Sequence, residues 1–97
     1  MNILSELGFN EDTINKIIEQ NGKAILTDLD NNSKLVKTNY MLLKTINITC
    51  LEELFIYEID IFLMNTELLT EKIKNTNNIE EFINKVNEDF FNIETII

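Results

Sequence analysis

Residues 50–64, Cys50-Leu51-Glu52-Glu53-Leu54-Phe55-Ile56-Tyr57-Glu58-Ile59-Asp60-Ile61-Phe62-Leu63-Met64, carry two periodicities at once. Leu51, Leu54 and Phe55 stand at i, i+3 and i+4, the spacing of one helix face, whereas Tyr57 to Ile61 alternates apolar and polar as a strand does. Two other stretches of the chain decide between these readings. INKIIEQNGKAIL from Ile14, LEELFIYEIDIFL from Leu51 and IEEFINKVNEDFF from Ile79 align without gaps. Each has an apolar first position and an apolar pair three and four residues on: Ile17-Ile18, Leu54-Phe55 and Phe82-Ile83. Each then has a second pair eleven and twelve residues on: Ile25-Leu26, Phe62-Leu63 and Phe90-Phe91. A single helix face gives no reason for that second pair to recur, so the pattern reads as helix, short apolar link, helix. On this reading a helix runs from Cys50 to Glu58, and Ile59 to Met64 is a turn or irregular segment.

The rest of the chain agrees with an all-α fold. It has no proline and two glycines, Gly8 and Gly22, so asparagine serves as punctuation at Asn10, Asn21, Asn31-Asn32, Asn47, Asn65, Asn75 and Asn77-Asn78. Its richness in Ile, Asn, Lys and Glu also looks like an AT-rich coding bias. Ile3, Leu4 and Leu7 make a first short helix ended by Gly8. Asn10 caps a second helix, with Glu11 and Asp12 in its first turn and an Ile14-Ile17-Ile18 stripe. Lys23 to Thr27 reads as a short apolar link and Asp28 to Ser33 as a polar cap. Leu35 to Ile46 is amphipathic. Thr49-x-x-Glu52 and Asn78-x-x-Glu81 have the form of capping boxes. Asn65 or Thr66 opens a helix with Leu68, Leu69 and Ile73 on one face. The last ten residues, Glu88 to Ile97, are too apolar for a free tail and are expected to pack back onto the domain. With 97 residues and 44% hydrophobic content, the chain is expected to form one domain, residues 1–97, of about six to seven short helices.

The repeat resembles the helical units of the mitochondrial transcription termination factor family, in which two antiparallel helices and a short 3₁₀ turn stack into a curved solenoid. Leu7 to Ile18 is similar to the way that family opens a unit, and Ile25 to Leu35 to its step between paired helices. The resemblance covers residues 7–97 and implies right-stacked helical hairpins; an irregular helical bundle is the alternative. It departs from the family in having no proline near the end of the first helix and no basic groove, so nucleic-acid binding does not carry over with the fold.

Charge and composition narrow the function. The net charge is −9, and all eight basic residues are lysines. Residues 1–48 carry six acids and five lysines, residues 49–97 eleven acids and three lysines. The second half therefore repels phosphate backbones and anionic membrane surfaces. Leu54 to Met64 is interrupted by Glu58 and Asp60 and cannot span a membrane. The first residues have neither a basic start nor an apolar run, so no leader is expected. Cys50 is alone, which excludes an intramolecular disulfide and suits a reducing cytoplasm. There is no histidine and no glycine-rich phosphate loop, the carboxylates lack calcium-loop spacing, and Cys50 has no partner base, although a helix start can lower a thiol pKa. No enzyme, cofactor or metal is expected.

The expected function is a small acidic interaction protein that binds another protein, or itself, through its aromatic-rich C-terminal half. The residues assigned to that contact are Glu52, Glu53, Tyr57, Glu58, Asp60, Glu80, Glu81, Glu88, Asp89, Phe90 and Phe91. Phe55, Phe62 and Phe82 are expected to fill the core. A nucleic-acid-mimic inhibitor, placing carboxylates in the basic groove of a nucleic-acid-binding protein, is the alternative. Direct nucleic-acid binding through Lys16, Lys23, Lys34, Lys37 and Lys44 is the second alternative.

Overall fold

A computed structural model describes residues 2–97. Among them are eight α-helices and a terminal 3₁₀ segment, with no strand: α1 (Ile3–Glu6), α2 (Glu11–Asn21), α3 (Ile25–Asn31), α4 (Ser33–Thr45), α5 (Leu51–Tyr57), α6 (Asp60–Leu63), α7 (Thr66–Lys74), α8 (Ile79–Glu88) and η1 (Phe90–Ile96). The elements outnumber the six to seven expected, because two segments read as links are themselves helical. Lys23 to Thr27 enters α3, which continues through the stretch read as a cap. Ile59 to Met64 is not irregular; it contains the single turn α6. The same order of a longer helix, a break and a short helix occurs at α2–α3, α5–α6 and α8–η1.

Asparagine starts these helices as the sequence leads one to expect. Asn10 Oδ1 accepts from Thr13 N at 2.9 Å, Asn65 Oδ1 from Leu68 N at 3.0 Å and Asn78 Oδ1 from Glu81 N at 3.0 Å. Asn2 does the same for α1. The Thr49–Glu52 capping box does not form. Cys50 is the N-cap of α5 without a side-chain bond, and the Thr49 N–H donates instead to Asn87 Oδ1 at 2.8 Å. At the other end of α2, Gly22 takes φ +89°, a region costly for any residue with a Cβ, and turns the chain into α3.

The helices close on a core centred on Phe55, which is fully buried. Its ring stacks on Phe62 at 3.6 Å between centroids, and Phe9 meets it edge-on at 5.0 Å. The tightest associations are α2 with α5, α4 with α6 and α8 with η1, and α4 also lies along α7. Leu69 and Ile73 turn inward from α7, whereas Leu68, expected on the same face, is 45% exposed. Positions 69 and 73 are one turn apart, and position 68 is rotated away from both. The molecule measures 38 × 25 × 20 Å.

Side-chain amides hold the breaks in place. Asn21 Nδ2 donates to Ile17 O at 2.9 Å and to Ile56 O at 3.0 Å, tying the C-terminus of α2 to that of α5. Asn39, fully buried on α4, donates to Phe62 O at 3.1 Å and Met64 O at 2.7 Å and approaches Ile61 O at 3.3 Å. Its Oδ1 accepts from Thr66 Oγ1 at 2.7 Å. These bonds satisfy carbonyls that a one-turn helix cannot satisfy itself. Replacing Asn39 by alanine orphans them inside the protein. Asn39→Ala is expected to lower unfolding stability by about 2–4 kcal/mol in urea denaturation. Asn31→Ala, at an exposed position, should stay within about 0.5 kcal/mol.

Candidate functional site

The 3₁₀ segment builds the candidate site. Such a helix has three residues per turn, so residues three apart eclipse one another. Phe90, Ile93 and Ile96 form one row, half-buried, buried and buried; Phe91, Glu94 and Ile97 form the next, all exposed. Asp89 starts the segment by accepting from Phe91 N at 3.0 Å. The inner row anchors the returning tail, which packs back as expected. The outer row is left facing water.

Phe90 lies at the edge of the inner row and stacks on Tyr57, the last residue of α5, at 5.2 Å between centroids and 14° between planes. Phe91 joins it at 4.4 Å. Tyr57 is 49% and Phe91 54% exposed, so this three-ring platform is surface rather than core. Phe55, Phe62 and Phe82 are buried, as the sequence suggested.

Carboxylates surround the platform. Glu58, just beyond α5, is half-buried and hydrogen-bonds Glu94 on η1. Burial first, then that bond, then repulsion from Glu94 and Asp60 push the Glu58 carboxyl up to about 7. Near neutrality Glu58 therefore holds a proton about half the time. The acids named from sequence divide into two groups. Glu58, just beyond α5, and Asp89, the N-cap of η1, adjoin the platform's own elements, whereas Asp60 opens α6 and Glu88 ends α8. Glu52 and Glu53 stand in the first turn of α5, Glu53 one turn before Tyr57, and Glu80 and Glu81 in that of α8, where Glu80 is ~12 Å from Glu88 along the axis. Glu81 is taken up by Lys85 at 2.9 Å. Sequence reasoning missed Glu94. The signal that would have found it is the period of three in Phe90-Ile93-Ile96, which puts Phe91, Glu94 and Ile97 on a second row.

Cys50 is shielded, and two of the five N-terminal lysines are engaged within the fold while Lys16, Lys23 and Lys34 are exposed. Cys50 Sγ donates to Val86 O at 3.4 Å, and burial pushes its thiol up rather than down, so the helix start does not activate it. Of the five N-terminal lysines, Lys37 pairs with Glu6 at 2.7 Å and Lys44 lies over the Tyr40 ring at 5.6 Å. Among the described residues no three acidic or thiol groups come together to hold a metal ion, and no helix is long and apolar enough to cross a membrane.

Two measurements test this chemistry. A carboxyl raised on folding binds more protons in the native state, so stability falls as pH rises between about 4.5 and about 7. Urea midpoints should drop across that interval, and Glu58→Gln should remove most of the drop. Cys50 should be alkylated by iodoacetamide at neutral pH at least about tenfold more slowly in the native protein than in urea. No protein-family model, curated protein or solved structure matches the chain.

Proposed function

We propose that this is a small acidic, non-enzymatic interaction protein of the cytoplasm that binds another protein through the Tyr57–Phe90–Phe91 surface. The observation that carries the reading is the platform itself. Tyr57 and Phe91 are about half exposed, Phe90 joins them to the core, and aromatic side chains of this kind anchor protein interfaces. A rim of Glu58, Asp60, Asp89 and Glu94 gives the surface an apolar centre and a polar edge. Two copies meeting through it would oppose like charges, which favours a different partner over self-association.

The helical-repeat reading belongs to the same proposal. What supports it is the threefold order of long helix, break and short helix, together with the packing of α2 on α5 and α4 on α7. Stacked hairpins require those pairings of like with like.

The test is affinity capture with immobilised wild-type protein and with the Tyr57→Ser/Phe91→Ser variant, from extract of the cells that make the protein. The variant should keep its fold within about 1 kcal/mol, because both residues are about half exposed. A protein held by wild type through washing at about 1 M salt, where screening is nearly complete, and lost from the variant is the expected result. Equal capture by both proteins would overturn the proposal. A partner released entirely by salt would favour the nucleic-acid mimic.

A further inference from the structure

The geometry points to a basic protein segment as the occupant of this surface, with one arginine or lysine side chain lying across the Tyr57–Phe90 stack and its charged end between Glu58 and Glu94. This rests on the docking reading above and names what docks.

The argument is one of charge complementarity on an apolar face. Glu58 approaches from the end of α5 and Glu94 from η1, and the charges facing Glu58 are Glu94 and Asp60 on α6. Both ion pairs among the described residues lie elsewhere, at Lys37–Glu6 and Lys85–Glu81. Like charges have thus been brought together with no ion pair among the described residues to neutralise them, beside stacked rings whose outer faces attract cations. An arginine satisfies both demands. Its plane stacks on an aromatic face, and its fork meets two carboxylate oxygens. Lysine meets the charge but not the planar match. The half-buried position of Glu58 strengthens the pairing, because water competes less there.

Proton release follows from the same arrangement. Glu58 holds a proton part of the time when the surface is empty, and a cation beside it favours its ionised form. Docking therefore expels that proton, and affinity rises with pH until Glu58 ionises by itself, above about 7.

A fluorescent peptide of alternating arginine and glycine is titrated by anisotropy, with aspartate–glycine and lysine–glycine peptides alongside. Wild type should bind the arginine peptide best and the aspartate peptide not at all. It should bind about tenfold more tightly at about pH 8 than at about pH 5.5. Isothermal titration in buffers of different ionisation heat should show a proton leaving on binding near neutrality. Glu58→Gln/Glu94→Gln should weaken binding at least about tenfold and abolish the pH dependence. Glu67→Gln/Glu71→Gln removes the same charge from exposed positions of α7, a helix that carries no part of the platform, and serves as control.

Equal weakening by that control would reduce the effect to net charge and overturn the inference. So would wild-type binding that does not vary with pH, or head-to-tail self-association in sedimentation that saturates the surface with a second copy's lysines. If Glu58→Gln/Glu94→Gln unfolds, Glu94→Gln alone, at an exposed position, carries the same comparison. A captured partner lost from Tyr57→Ser/Phe91→Ser but kept by Glu58→Gln/Glu94→Gln would overturn the cation site and leave the docking surface standing.

Discussion

The buried amide of Asn39 is the constraint on which the second half of the molecule depends. A four-residue helix such as α6 has no stability of its own, because nucleating a turn costs more than its hydrogen bond returns. Its last carbonyls point into the interior, where an unsatisfied acceptor is expensive. Asn39 reaches them from α4 with one amide group, and Thr66 completes the network by donating to its oxygen. The consequences spread outward from there. With α6 fixed, Phe62 is delivered flat onto Phe55 and closes the core. At the break between α5 and α6, Tyr57 is left exposed and Glu58 half-buried, and the tail meets them there.

The same device recurs at the other breaks. Asn21 bridges the ends of α2 and α5. Asn87 accepts from Thr49 N and donates to Asn47 O at 2.9 Å, docking α8 on the loop before α5. Asp30 accepts from Ile3 N at 2.8 Å, bringing α1 to α3. Short helices expose a large share of unpaired backbone groups for their length, and a chain with so few glycines has little freedom to cap them by left-handed turns. Short amide side chains provide the missing partners from neighbouring elements. An asparagine content suggestive of coding bias is thus also a structural resource, with individual residues serving as caps, bridges and, at Asn47, a positive-φ turn.

This division of labour explains what was legible beforehand. Local signals read correctly: the caps at Asn10, Asn65 and Asn78 depend only on residues three positions away, and the apolar stripes depend only on the helical period. The ambiguous stretch around Tyr57 resolved as helix because its register matched two other segments. Nonlocal signals did not read. Nothing near Asn39 marks it as an interior bridge to residues more than twenty positions on, so α6 looked like a link. Thr49 has the form of a box residue, but its N–H is claimed by Asn87, thirty-eight positions away. The same holds at the surface. Tyr57, Phe90 and Phe91 could be named from their position in the acidic half, yet that Phe90 would lie flat on Tyr57, and that Glu94 would reach Glu58, required the tail to return as a 3₁₀ helix.

A packed tail could have ended in many ways, and the one adopted sets a cost beside an opportunity. The inner row, Phe90, Ile93 and Ile96, secures burial, and a helix of period three then has no choice about its second row. Any residue at position 94 must face the end of α5. A lysine there would have paired with Glu58 and Asp60 and removed the repulsion; a glutamate adds to it, and the Glu58 carboxyl is pushed up to about 7. Destabilisation built into a fold is retained most readily where something outside the chain relieves it, because binding then recovers what folding gave up. The strain sits beside the Tyr57–Phe90–Phe91 rings, two of them exposed. Under the proposed docking, that placement, more than the total acidity, is what a partner reads.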